Sequence, residues 1–180
     1  GVDALVVEGV EGGGFKSLLS ASTMVLLPLV AEQVDLPIIA AGGICDARSA
    51  AAAVVLGAEG VQMGTRMLAS REAGVHANFK EAIVAADDSG TVLLDIPGNP
   101  TMRVLRTGLA SRVAADQTAS PLLGGVTTLY FDGDMEASVA NTGQVSSRIV
   151  DILPVAEVIR GTWEGAREAL HAAAVRLGEP

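Results

Sequence analysis

The sequence is poor in the residues from which most site chemistries are built. It has one cysteine, Cys45, and two histidines, His76 and His171. That excludes an internal disulfide framework and argues against a structural zinc site. No apolar run approaches the roughly 18 residues that a membrane-spanning helix requires. Cations are the minority charge: 12 Lys and Arg against 21 Asp and Glu give a net charge of -9. A nucleic-acid backbone or an anionic membrane surface is therefore an unsuitable partner. The dinucleotide fingerprint G-x-G-x-x-G and the loop G-x-x-x-x-G-K-[ST] are both missing. No charged segment followed by an apolar one opens the chain, so nothing points to secretion, and the expectation is a soluble, cytoplasmic protein.

What is present is small and apolar. Apolar residues make up 49% and charged residues 18% of the 180, with 21 glycines and a mean hydropathy of +0.44. Disorder is excluded on that composition, and the length suits one domain with a sizeable core. The run Gly1–Val7 has an echo in Gly57–Met63. In the second copy the glycine follows the Ala-rich helical run 50–56, where it can take the left-handed position past a helix end. By analogy Gly1 also ends a helix. The expectation is a C-terminal portion of a larger α/β protein.

Apolar runs at 4–7, 37–41 and 61–63 read as buried parallel strands covered on both faces. Between them, 23–34 and 47–56 have helical periodicity, the second opened by Asp46 as N-cap. A helix over 76–86 follows, with Phe79, Ile83 and Ala86 on one face. Beyond it the pattern weakens. Residues 91–96 read as a short strand, 102–113 as a basic helix and 114–133 as loop. A last helix starts at Pro154, with Val155, Ile159, Trp163, Ala166, Leu170 and Leu177 at helical spacing and Gly178 as its stop. Three βα units of similar length fit either a doubly wound sheet or a (β/α)8 barrel.

Each of these strands ends in glycine. A glycine after a strand is most often only a turn. Two such loops in consecutive units, Gly42-Gly43 and Gly64-Thr65, together point to an anion site. Free backbone N–H groups converge there, glycine leaves room for close approach, and the Thr65 hydroxyl adds a donor.

Three motifs carry a resemblance: Val6 to Gly14, Ile38 to Ile44, and Gly60 to Arg66. Taken in order, and continued through His76–Lys80 and Gly143–Val145, they resemble the nitronate monooxygenase family. The related flavin-dependent enoyl-acyl-carrier-protein reductases share the pattern, which does not separate the two activities. The resemblance implies a TIM-type barrel with an added helical segment, bound FMN and no metal. Residues 1–90 would hold barrel strands six to eight and the phosphate loops, 91–145 a helical and loop segment on the substrate side, and 146–180 the closing helices. It implies oxidation of alkyl nitronates with dioxygen, or alternatively reduction of an enoyl thioester. In a third reading the chain is a non-catalytic piece that associates with itself or with the missing N-terminal half of a barrel.

Carried over residue by residue, Glu8 stands beside the flavin and Gly13 in the loop over it. Gly42, Gly43, Gln62, Met63, Gly64 and Thr65 match the grip on the FMN phosphate. One departure matters. The family's usual histidine after the glycines is here Phe15, whose ring cannot accept a proton. The neighbouring Lys16 reads as a solvated surface lysine rather than an anion contact. Glu8 and Glu11 receive no acid–base role, and Arg66 either screens phosphate or anchors the next helix. His76 reads as structural, His171 as surface, Cys45 as a small buried thiol and Trp163 as core.

Overall fold

A computed structural model describes residues 1–19, 21–116 and 122–178. Its strands are β1 (Leu5–Glu8), β2 (Gly14–Phe15), β3 (Ile38–Ala41), β4 (Gly60–Gln62), β5 (Thr91–Leu94) and β6 (Met102–Leu105). The helices are α1 (Thr23–Ala31), α2 (Ala47–Val55), α3 (Thr65–Leu68), α4 (Ala77–Val84), α5 (Gly108–Asp116) and α6 (Val155–Arg176). The strands form two sheets. One is parallel in the order β1-β3-β4, and the other antiparallel in the order β2-β6-β5.

The parallel sheet follows from its apolar runs and from the βα connections, which return each strand to the same direction. Ile38, Ala40 and Val7 are buried with Leu27 of α1 and with Ala50 and Ala53 of α2. Cover on both faces is the expectation for such strands, but among the described residues only one face is closed. Val6, in the middle of β1, is 56% exposed. The helices that close the sheet lie on the other side, so an apolar strand presents its second face uncovered. In the register, Glu8 pairs with Ala41 and Ala41 with Gln62. These three residues stand in a row where the strands end.

Helix α2 starts as the sequence predicts. The Asp46 side chain accepts from the Ser49 amide at 2.9 Å, and the Ser49 hydroxyl accepts from the Asp46 amide at 3.1 Å, a reciprocal cap. Arg148 pairs with the same carboxylate. Helix α6 packs across α2, and a β-carbon on Gly165 would come within 2.8 Å of the Ala47 side chain. The buried stripe of α6 is Val158, Thr162 and Ala166, with Ala169 and Leu170 packed partly against the core. The stripe expected through Ile159, Trp163 and Leu177 is rotated away from it. Trp163 is 47% exposed and is not a core residue. The close approach of two Ala- and Gly-lined helices selects small side chains, so the large ones lie one position around.

In the segment 91–145 the short strand expected over 91–96 forms at Thr91–Leu94, and the remainder differs from the expected helices and loops. Residues 102–105 are a buried strand, not the start of a basic helix, and the helix begins only at Gly108, where the Thr107 hydroxyl accepts from the Ala110 amide. Pairing decided the outcome. Met102 and Arg103 bond to β2 on one side, and Met102–Leu105 to β5 on the other. A two-residue strand such as β2 carries no periodicity that a sequence reading could detect. Within 114–133, expected as loop, α5 extends to Asp116 and Thr128–Asp132 forms a π-helical turn. Residues 117–121 lie outside the described residues.

Two outcomes are expected. The isolated 180-residue chain should self-associate through its uncovered sheet face, giving a mass that rises with concentration in light scattering; a stable monomer would contradict this. Burial alone would raise the Asp46 pKa, but the Ser49 and Arg148 hydrogen bonds hold it below the usual carboxylate range. Its stabilising effect is therefore complete above the unfolded-state value and is lost as pH falls. Asp46→Asn should lower the urea midpoint at neutral pH, by about 1 kcal/mol in stability, and the difference should shrink in acid.

Candidate functional site

Beyond the row Glu8, Ala41 and Gln62, the chain leaves each strand through glycine, and the three exits surround a cleft of about 300 Å3. Gly42 and Gly43 both have φ near +77°, a conformation that glycine adopts without strain. A β-carbon on Gly42 would come within 2.9 Å of the Gly9 carbonyl oxygen. The loop after β1 therefore packs directly on this turn. Gly64 has an ordinary φ of -84°, and its missing β-carbon faces open space. Among the described residues the amides of Gly43 and Gly64 have no hydrogen-bond acceptor.

The cleft is pinned by a contact distant in sequence. The Thr65 hydroxyl accepts from the Gly143 amide at 2.9 Å, and the Gln144 amide donates to the Glu11 carbonyl at the same distance. A β-carbon on Gly143 would approach Glu11 O to 2.9 Å and Thr65 Oγ1 to 3.2 Å. The Thr65 proton thus remains available to an acceptor in the cleft. Asn141 also lines the cleft, and its buried side-chain Oδ1 has no hydrogen-bond partner among the described residues. Tyr130 stands beside it, edge-on to Phe79 at 5.0 Å between ring centres. Burial pushes the Tyr130 phenol above its ordinary pKa, so it stays protonated at neutral pH.

Of the residues singled out from the sequence, Glu8, Gly13, Gly42, Gly43, Gln62, Gly64 and Thr65 all face this one cleft. Met63 does not. Its side chain packs against the apolar core, with its sulfur 3.9 Å from the Thr162 hydroxyl. The alternation along a strand explains this, because Gln62 and Met63 point to opposite faces. Lys16 is also placed otherwise than the sequence suggests. Its side chain is only 4% exposed, and its Nζ lies 3.0 Å from the Glu8 carboxylate. Glu11 accepts from both the amide and the hydroxyl of Thr23 at 3.0 Å, which caps α1 from the loop.

Arg66 anchors and does not face the cleft. It is 6% exposed and binds the Asp151 carboxylate at 2.9 Å and the Ala69 carbonyl at 3.0 Å. The His76 ring accepts from the Asn78 amide at 3.1 Å, capping α4, and His171 is exposed on α6. Cys45 is buried, and burial pushes its thiol above the ordinary range. Sequence reasoning missed Tyr130 and Asn141. Only the tertiary fold brings 128–143 to the strand ends, and no local pattern marks either residue.

The family model that describes nitronate monooxygenase matches residues 1–164. The chain belongs to the nitronate monooxygenase family. A probable nitronate monooxygenase of Staphylococcus saprophyticus is 40% identical over 110 residues, covering 56% of this chain and 31% of that protein. FabK from Thermotoga maritima superposes with a TM-score of 0.90 at 37% identity, over 98% of this chain and 58% of that one. A nitroalkane oxidase from Streptomyces ansochromogenes superposes with a TM-score of 0.80 at 26% identity, over 95% of this chain and 53% of its own. The chain thus spans little more than half the length of these solved structures. Among the described residues no three His, Cys, Asp or Glu side chains group to hold a metal, and no helix is long and apolar enough to cross a membrane. Phe15 is 59% exposed on β2 and stands outside the cleft lining.

The two glycine turns should respond differently to a methyl group. Gly42→Ala combines a left-handed φ with a backbone collision and should cost about 2–3 kcal/mol in chemical denaturation. Gly64→Ala, with room and ordinary φ, should change stability by less than about 1 kcal/mol while narrowing the cleft. Equal losses would contradict the distinction.

Proposed function

We propose that the complete protein containing this chain is an FMN-dependent oxidoreductase that oxidises small anionic nitronates with dioxygen. In this reading the parallel sheet supplies strands six to eight of a (β/α)8 barrel, with the cleft at the C-terminal strand ends where such barrels carry their sites. The observation that carries it is the convergence of Gly42-Gly43 and Gly64-Thr65, with two unpaired amides and a free hydroxyl proton, on one cleft. The residues fit the cofactor. The amides of Gly43 and Gly64 and the Thr65 hydroxyl would hold the phosphate, and the orphaned Asn141 Oδ1 offers an acceptor in the same cleft. When bound, FMN supplies the electron transfer between substrate and dioxygen.

The state of the cleft's own titratable groups selects the substrate. Removal of a proton from a neutral nitroalkane needs a free base within hydrogen-bond reach. Phe15 provides none. Glu8 is paired with Lys16, Glu11 is committed to Thr23, and the Tyr130 phenol is held protonated. A nitronate is already deprotonated and needs only binding and orientation.

Oxygen uptake by the complete protein should therefore proceed with ethylnitronate and be at least about tenfold slower with nitroethane at neutral pH. Phe15→His should raise the nitroethane rate selectively. Equal rates on both substrates in the unaltered protein would contradict the base argument. Consumption of NADH with an enoyl thioester, without nitronate oxidation, would establish the reductase reading instead.

A further inference from the structure

Two carboxylates, Glu8 and Glu11, line the same cleft as the loops proposed to grip a phosphate. In a chain of net charge -9 this opposes binding of any anion. Behind the glycine loop, however, lie two cations. Lys16, with its side chain 4% exposed, sets its Nζ 3.0 Å from Glu8 Oε2. Arg103, 7% exposed in the middle strand of the antiparallel sheet, donates from Nε to the Val10 carbonyl at 3.0 Å.

The loop is shaped around the first pair. A β-carbon on Gly12 would collide with Glu8 Oε1 and come within 3.0 Å of Lys16 Nζ, so the ion pair fills the space that a side chain at position 12 would occupy. The two groups arrive from different elements. Glu8 ends β1, and Lys16 follows β2, where its amide donates to Thr101 O at 2.8 Å and fixes the backbone of the lysine. Among the described residues, Glu8 is the acidic side chain within ion-pair distance of Lys16.

We infer that Lys16 is a positioning residue that neutralises Glu8, so that the cleft discriminates in favour of phosphorylated over unphosphorylated flavin. The inference rests on the cleft being a flavin site. A buried lysine costs desolvation unless a carboxylate compensates it, and Glu8, half exposed on its cleft side, does so while presenting no net charge to a ligand.

The test is equilibrium binding of FMN and of riboflavin to the complete protein, read from flavin fluorescence. Lys16→Met leaves Glu8 unpaired and should weaken FMN about tenfold and riboflavin less than about twofold. Lys16→Arg should keep both affinities, and adding Glu8→Gln to Lys16→Met should restore FMN. Equal weakening of the two flavins, or no restoration in the double variant, would overturn the inference in favour of a purely structural lysine. If Lys16→Met does not fold, Glu8→Gln alone decides: it should raise the preference for FMN over riboflavin, and an unchanged ratio would overturn the proposal. Unaltered protein that binds neither flavin would instead remove the flavin reading on which the inference stands.

Discussion

The close packing of the loop 9–14 on the turn at Gly42-Gly43 is the constraint on which the rest of the cleft depends. With a β-carbon on Gly42 only 2.9 Å from Gly9 O, the loop could not sit there. Once it does, its carbonyl at Glu11 holds the Gln144 amide, and Gly143 is brought against the Thr65 hydroxyl. Segments distant along the chain, around Glu11, Gly42, Thr65 and Gly143, are thus locked together at positions where glycine leaves no side chain to intervene. The donors left over, at Gly43, Gly64 and Thr65, belong to residues that line the same cleft.

The antiparallel sheet serves this arrangement from behind. Its middle strand sends Arg103 to the Val10 carbonyl, and its short edge strand carries Phe15 outward and Lys16 inward. The edge strand thus turns an uncharged ring outward at Phe15, while the residue after it pairs with the cleft carboxylate of Glu8.

The parts legible in the sequence were those with local signals. The strands Leu5–Glu8 and Ile38–Ala41, the capped start of α2 and the glycine exits all carry periodicity, capping chemistry or turn residues within a few positions. Of the antiparallel sheet only the strand at 91–94 was legible, because Met102–Leu105 owes its extended form to partners on both sides and β2 is too short to show alternation. Trp163 was misplaced by one position around α6, since helix-to-helix approach favoured Thr162 and Ala166 as the inward residues. Charge pairing was the least legible of all. No spacing rule brings Lys16 to Glu8 or Arg66 to Asp151, and both lysine and arginine read from sequence alone as surface or undecided.

The central claim is that the two glycine exits grip a phosphate. A crystal structure of the complete protein with FMN tests it most directly. The account predicts phosphate oxygens within about 3.2 Å of the Gly43 and Gly64 amides and of Thr65 Oγ1. A phosphate bound elsewhere, with these amides left facing water, would contradict it.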